Sequence, residues 1–139
     1  MAEPLRVELV SPEEVIFSGE ANMVITRTDG GGEIAFQAGH APFLGTLVEN
    51  HTRIFLTDGT VQDVAVHRGF VEVSGDRVSI LSDNAELAED IDVERAKQAL
   101  ERHRQTLRDE EVDRKIADAV AGKARAEARL TTAGVGFTA

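Results

Sequence analysis

The sequence predicts an α+β protein, with an N-terminal antiparallel β-sandwich or flattened barrel followed by a C-terminal antiparallel hairpin of two helices. Three observations predict this fold. Apolar residues recur with period two or in short β-branched runs from Leu5 to Leu81, and glycine, aspartate and asparagine interrupt these runs every several residues. After Asp90 the apolar residues follow the helical period instead. We therefore expect residues 1–88 to form the sandwich, 89–133 the hairpin and 134–139 a flexible tail.

The β-rich half contains nine runs that are typical of short strands. Two turn signals, Asp58-Gly59 and Ser74-Gly75-Asp76, lie between such runs, because aspartate and glycine adopt positive φ at low cost. The connections are too short for crossover helices, so the strands must pair mostly antiparallel. The nine predicted strands are residues 5–9, 15–17, 23–28, 33–36, 43–48, 53–56, 61–66, 70–73 and 78–81.

The C-terminal region carries the signals of two helices. Asp92 is a suitable N-cap for the first, and after the acidic segment 109–113 the second continues to Leu130. The stripe of the first helix consists of Ala96, Leu100, His103 and Leu107. Alanine dominates the second helix, so the pair buries little surface, and at about 25 cal/mol per Å² this gain hardly exceeds the ordering cost. Such a hairpin suits a conformational switch, and a permanently docked hairpin is the alternative.

Composition excludes several classes of function. The formal net charge is −10, and residues 1–88 carry 5 basic and 14 acidic side chains, against 10 and 11 in residues 89–139. An acidic body argues against nucleic-acid binding, which needs a clustered basic surface. With no cysteine and four histidines that lack ligand spacing, we expect no metal site. No apolar run approaches the roughly 20 residues of a membrane span, and no leader pattern opens the chain, so we expect no direct membrane insertion.

The arginines of the tail suggest a binding site, whereas nothing suggests catalysis: the chain has neither a nucleophile elbow nor a phosphate-cradling glycine motif, so we expect no enzymatic activity. Arg95 and Arg102 project from nearly the same face of the first helix, and Arg125 and Arg129 are an i, i+4 pair on the second. In an antiparallel hairpin these guanidinium groups can converge on a polyphosphate. The alternative is that they are solvated or pair with neighbouring glutamates, namely Glu94, Glu101 and Glu127.

Several motifs resemble those of one protein family. Residues 32–43, Gly-Glu-Ile-Ala-Phe-Gln-Ala-Gly-His-Ala-Pro-Phe, resemble the G-E-[IL]-G-[IL]-x-P-G-H-x-P-[LF] segment of the ε subunit of bacterial rotary ATP synthases. Residues 7–12 with 17–19, and 69–73 further on, look like the same family in the same order. Ala35 and Ala38 stand where the family usually has glycine and proline. The likeness extends from Leu5 to Leu130.

The resemblance implies a ten-stranded β-sandwich on the central stalk, at the cytoplasmic face of the bacterial cell membrane. It also implies a non-catalytic role in which the protein couples proton-driven rotation of the c-ring to the catalytic head. The implied partners are the γ subunit, the polar loops of the c-ring and the α/β catalytic hexamer, where the extended hairpin resists ATP hydrolysis. The implied contacts with the c-ring and γ are Glu33, Gly39, His40 and Pro42.

Residues 90–96, Asp-Ile-Asp-Val-Glu-Arg-Ala, fit the I/L-D-x-x-R-A motif of those ε subunits that bind ATP on the folded hairpin. The resemblance therefore implies ATP as a regulatory ligand and no catalytic cofactor. The predicted ATP-binding residues are Glu86, Ile91, Asp92, Arg95, Ala96, Arg102, Arg125 and Arg129. A free-standing ATP-sensing module, in which the β domain merely anchors the hairpin, is the alternative function.

Overall fold

The computed structural model describes the backbone of residues 3–109 and 113–137, and the side chains of residues 3–108 and 116–137. Within these ranges the chain forms seven strands, a short 3₁₀ turn and two helices. The strands are β1 (Leu5–Val10), β2 (Val15–Thr28), β3 (Gly32–Phe36), β4 (Phe43–Leu47), β5 (Asn50–Leu56), β6 (Val61–Ser74) and β7 (Arg77–Leu87). The 3₁₀ turn is Ala88–Asp90, and the helices are α1 (Val93–Asp109) and α2 (Asp113–Thr132).

Strand pairing confirms the predicted sandwich and also explains its flattened-barrel character. β1 pairs with β2, β2 with β5, β5 with β6, β6 with β7, and β7 returns to β1, so the hydrogen-bonded ring is closed. β3 and β4 extend this ring beside β2 and β6. Every pair is antiparallel except β1 with β7, which is parallel. Closure leaves few unpaired edges, as small β-barrels require.

The predicted nine strands, and the ten implied by the resemblance, are too many for the described residues, which contain seven. Residues 15–17 and 23–28 belong to one strand, β2, and 61–66 and 70–73 to another, β6. The sequence predicts a break between two strands around Arg68 and Gly69. Instead the strand bends there, with φ of 50° at Arg68 and 144° at Gly69, and keeps its pairing with β7 on both sides.

The sandwich and the hairpin have separate apolar cores. The core of the sandwich includes Phe36, Leu5, Leu9, Ile54 and Ile80, all fully buried. The hairpin has a much smaller cluster, formed by Ala96, Leu100, Ala126 and Leu130. At about 1.5–3 kcal/mol for each large side chain that is fully buried, the sandwich carries most of the apolar stabilisation. The thin stripe predicted for the hairpin is therefore present.

A cap begins α1 and another ends α2. The backbone N–H of Arg95 donates to Asp92 Oδ1 at 3.1 Å, which confirms the predicted N-cap of α1. At the end of α2, Gly134 has φ of 76° and the N–H of Val135 donates to the carbonyl of Leu130 at 2.9 Å. Val135 also packs against the hairpin cluster, as in a Schellman cap. The segment 134–139 that we predicted as a flexible tail therefore begins within this cap.

Candidate functional site

An ion pair joins the sandwich to the hairpin. Arg129, in the last turn of α2, donates from Nε to Glu86 Oε1 at 2.5 Å, and Glu86 lies near the end of β7. These two predicted ATP-binding residues are therefore adjacent, although 43 positions separate them in the chain. We call this contact, together with His67 beneath it, the clasp.

His67 completes the clasp from within the sandwich. It is 3% exposed, and its Nε2 lies 3.7 Å from Glu86 Oε1, which is an ion-pair distance but long for a hydrogen bond. Neither ring nitrogen has a hydrogen-bond partner among the described residues. The neighbouring His67 and, on the other side, the guanidinium of Arg129 together lower the pKa of Glu86 to about 2, although partial burial acts in the opposite direction. Glu86 is therefore a carboxylate throughout the physiological pH range.

The two helices cross closely where His103 of α1 meets Gly122 of α2. A Cβ atom built on Gly122 would overlap the imidazole of His103, so a larger residue there would displace the ring from its present position. Burial lowers the pKa of His103, and the positive charges of Arg102 on α1 and Arg125 on α2 lower it further. Arg102 and Arg125 thus both act on the imidazole of His103, a residue that the sequence predicts only as part of the apolar stripe.

The remaining predicted ATP-binding residues surround the start of α1. Asp92 accepts the cap hydrogen bond described above, while Ile91 and Ala96 are buried. Arg95 is exposed, and its guanidinium has no ion pair with any side chain that the structure describes. The structure therefore places Arg129 at the clasp, Arg102 and Arg125 near His103, and Arg95 in the first turn of α1.

The predicted contacts with c-ring and γ lie on β3 and in the loop that follows it. Glu33 accepts a hydrogen bond from Arg53 Nη2 at 2.8 Å and keeps half of its side chain exposed. Gly39 has φ of 85°, and the ring of His40 packs edge-on against Phe36 with centroids 4.9 Å apart. Pro42 is exposed immediately before β4. These residues lie at the surface on β3 and on the loop that joins β3 to β4.

Sequence reasoning missed an exposed apolar row that crosses four strands. Thr46, Phe70, Leu81 and Val10 are successive cross-strand partners on β4, β6, β7 and β1. Phe70 is 55% exposed and Leu81 50%, and Leu44, two positions before Thr46, is 72% exposed. A groove of about 640 Å³ runs along this row, and Asp29, Glu49 and Asp83 also line it. Both faces of these strands contain apolar residues, so alternation alone could not reveal which ones lie at the surface.

Two classes of site find no support in the described parts of the chain. Within them no three His, Cys, Asp or Glu side chains form a group that could hold a metal ion. None of the helices there is long and apolar enough to cross a membrane.

Comparison with known proteins gives one consistent result. The family described as "ATP synthase, Delta/Epsilon chain, beta-sandwich domain" matches residues 4–88. The ATP synthase epsilon chain of Thermobifida fusca is 45% identical over 124 residues, which cover 86% of this chain and 89% of that one. The chain of the same name from Shouchella clausii is 41% identical over 120 residues, with the same coverage of 86% and 89%. That from Streptomyces griseus is 45% identical over 101 residues, or 73% and 81%.

Solved structures show the same fold. A chain in the structure of the Euglena gracilis mitochondrial ATP synthase, comprising OSCP, F1 and c-ring, superposes with a TM-score of 0.82 at 22% identity, covering 94% of this chain and 81% of that one. A chain in the central stalk and c-ring of the Tetrahymena thermophila mitochondrial ATP synthase gives a TM-score of 0.67 at 12% identity, covering 95% and 98%. The order of sandwich and helical pair is therefore shared with these chains.

Proposed function

Because this chain belongs to the family of ATP synthase epsilon chains, we propose that it is a non-catalytic subunit of the enzyme's central stalk. In this proposal its sandwich binds the rotor and couples c-ring rotation to the catalytic head. Its hairpin restrains ATP hydrolysis when extended into the α/β hexamer and binds ATP when folded. The site of action is the cytoplasmic face of the bacterial cell membrane, reached through protein partners.

The exposed apolar row supports binding to the γ subunit. A contiguous row of Phe70, Leu81 and Val10, with Leu44 beside it, is unusual on a free surface and typical of an interface core. Arg68 also lines the groove and pairs with Glu49 at 3.2 Å, which leaves Asp29 and Asp83 to favour basic side chains beside an apolar partner surface. The exposed carboxylate of Glu33 and the turn at His40 remain the predicted contacts with the polar loops of the c-ring.

The separate cores support a brake that can be released, and they are the observation that carries the proposal. The apolar cluster of the hairpin shares no residue with that of the sandwich, and the hairpin is held by the polar clasp of Glu86 and Arg129 and by packing of α2 on β5 and β6. An ion pair with partial solvent exposure stabilises docking by only about 1–2 kcal/mol, and the residues of α2 that face β5 include the small side chains of Ala124 and Ala128, so a modest free energy holds the hairpin in place. A small ligand can then shift the balance.

ATP is the proposed ligand because Arg102 on α1 and Arg125 on α2 both act on His103, and neither guanidinium pairs with a carboxylate among the side chains that the structure describes. A polyphosphate near Arg102 and Arg125 would offset their mutual repulsion and favour the folded hairpin. The shift in free energy is RT ln(1 + [ATP]/Kd), so the folded form gains as ATP rises. Plentiful ATP therefore releases the brake, and falling ATP allows the hairpin to open.

Deletion of residues 89–139 tests this function. We expect the truncated chain to remain bound to γ and the assembled enzyme to hydrolyse ATP faster than with the full chain. Hydrolysis at an unchanged rate would overturn the brake. Failure of the full chain to co-purify with γ under mild conditions would favour the free-standing ATP-sensing module instead.

A further inference from the structure

His103 packs into a notch in α2 at Gly122. The ring lies against Gly122, and a Cβ atom at that position would collide with three of its ring atoms. Arg125 follows Gly122 by three positions, so it projects from nearly the same face of α2, whereas Arg102 precedes His103 directly on α1 and projects about 100° away from it. The charges of both guanidinium groups still act on the ring, so two cations lie near the imidazole where the helices contact each other.

We propose that His103 is a third phosphate-binding side chain of the folded hairpin, and that it takes up a proton when a polyphosphate binds between Arg102 and Arg125. This inference rests on the proposed ATP binding and deepens it. His103 was not among the residues that the resemblance implies, and the notch at Gly122 is what brings it to the site.

The charges around the ring determine the direction of the effect. Among the described residues, the charged groups that act on the imidazole are Arg102 from its own helix and Arg125 from α2. Both are cations, and together with burial they favour the neutral ring in the empty hairpin. A phosphate group between them reverses the local charge and favours the imidazolium, which then donates a hydrogen bond to a phosphate oxygen. Binding and protonation of His103 are thus coupled.

The coupling predicts that ATP binds more tightly at lower pH. One linked proton changes affinity by at most about tenfold per pH unit, so we expect the wild-type chain to gain about three- to tenfold between pH 7.5 and 6.0 relative to a His103→Gln variant. A phosphate group itself titrates at about pH 6, so the comparison with His103→Gln, rather than the wild-type profile alone, carries the result.

The experiment is calorimetric titration of the full chain with ATP, at pH 6.5, in two buffers with different ionisation enthalpies. The difference in heat measures proton uptake, which we expect in the wild type and in a His51→Gln control, but reduced in His103→Gln. His51 pairs with Asp63 on the sandwich and lines a groove with Ala124 and Ala128 of α2, whereas His103 packs against Gly122. An NMR titration of the His103 ring in the wild type, with and without ATP, tests the same point without depending on the fold of a variant. We expect ATP to raise the pKa of His103.

The outcomes distinguish the two proposals. ATP binding with equal proton uptake in wild type and His103→Gln, or a His103 titration that ATP does not move, would overturn the role of His103 and leave ATP sensing intact. A purely packing role for the ring predicts this result. The absence of any ATP binding by the wild type would overturn both. Proton uptake that is reduced in His103→Gln but not in His51→Gln supports the inference.

Discussion

Glu86 on β7 and Arg129 on α2 lie 2.5 Å apart and form the single ion pair that links sandwich to hairpin among the side chains the structure describes. The two apolar clusters do not share a residue, so this pair, together with the packing of α2 on β5 and β6, joins two parts that each have a cluster of their own. The position of the hairpin should therefore respond to small changes at one carboxylate.

The first prediction is that Glu86→Gln loosens the hairpin. Loss of the charge removes about 1–2 kcal/mol of docking free energy, which corresponds to about a 5- to 30-fold rise in the undocked population. The chain has no cysteine, so cysteines introduced at the exposed positions Thr57 and Gln98 can carry spin labels specifically. We expect the distribution of distances between the labels to broaden towards longer values.

The matched control is Glu8→Gln. Glu8 pairs with Arg77 at 3.1 Å within the sandwich, so its loss should leave the distances between the labels unchanged. An equal response in both variants would mean that the clasp does not hold the hairpin.

The second prediction concerns acid. The pKa of Glu86 is about 2 in the folded chain and 4.5 ordinarily, so its stabilising contribution is complete above pH 4.5 and is lost as pH falls towards 2. The part of this shift that is due to His67 stays within the sandwich, and the part that is due to Arg129 is linked to docking of the hairpin. Because 28% of the side chain is exposed, solvent screening limits the loss to about 1–2 kcal/mol. The labelled chain should open in this window, whereas the same chain with Glu86→Gln should already be open and change less. If the labelled chain opened over the same pH range with and without Glu86→Gln, the role of Glu86 in docking would be contradicted.

The third prediction is that Gly69→Ala destabilises the sandwich. At Gly69, φ of 144° is costly for alanine, and the added Cβ would overlap the backbone carbonyl of Leu81. We expect a loss of about 2–4 kcal/mol in the free energy of unfolding, measured as a lower urea midpoint. Gly75→Ala is the control, because Gly75 has φ of 61° but open space around it. The Gly75→Ala variant should lose only about 1 kcal/mol in the free energy of unfolding. Equal losses in the two variants would show that the clash with Leu81 is not the cause.

Gly69 also illustrates what the sequence could predict. The change of period at Asp90, the N-cap at Asp92 and the family motifs were readable because each depends on neighbouring residues. The continuity of β6 was not, because a glycine within an apolar run marks a bend and a break alike. The resemblance implied that Glu86 and Arg129 serve one site, but their direct ion pair and the part of His67 in it were hidden, since they depend on the docking of α2.

The exposed row illustrates the same limit on the β-sandwich. Phe70 and Leu81 each fit the two-residue period of their own strand. Only the pairing of β6 with β7 shows that they lie side by side on the outer face. His103 was assigned to an apolar stripe because the period of α1 is local, whereas Gly122, which shapes its surroundings, belongs to α2. Contacts within an element were predictable, and contacts between elements were not.

The fourth prediction is that Phe70→Ser weakens binding to the γ subunit by at least about tenfold, the usual effect of removing a central aromatic residue from an interface. Because Phe70 is 55% exposed, the fold should be unaffected, with an unchanged urea midpoint. Val61→Ser is the control, since Val61 is 42% exposed at the start of the same strand, away from the row. Equal affinity of Phe70→Ser and wild type for γ would exclude the row as the interface.

The fifth prediction is that the full chain binds ATP and that the Arg102→Ala, Arg129→Ala double variant does not. Each guanidinium that contacts a phosphate contributes about 1.5–3 kcal/mol, so loss of two should weaken binding by more than about a hundredfold. Calorimetric titration measures this directly. Arg129 also forms the clasp, so a weaker response could arise from an opened hairpin rather than from a lost phosphate contact.

Two further variants separate these causes. Arg102→Ala leaves the clasp of Glu86 and Arg129 in place, so its loss of affinity reports phosphate contact alone. Arg108→Ala is the control on the same helix, because Arg108 is exposed and bonds to Glu101 at 3.1 Å, within α1. We expect affinity to fall by about tenfold or more in Arg102→Ala and to stay unchanged in Arg108→Ala. Equal affinities in both would show that the general positive charge of the tail, and not a built site, attracts the nucleotide.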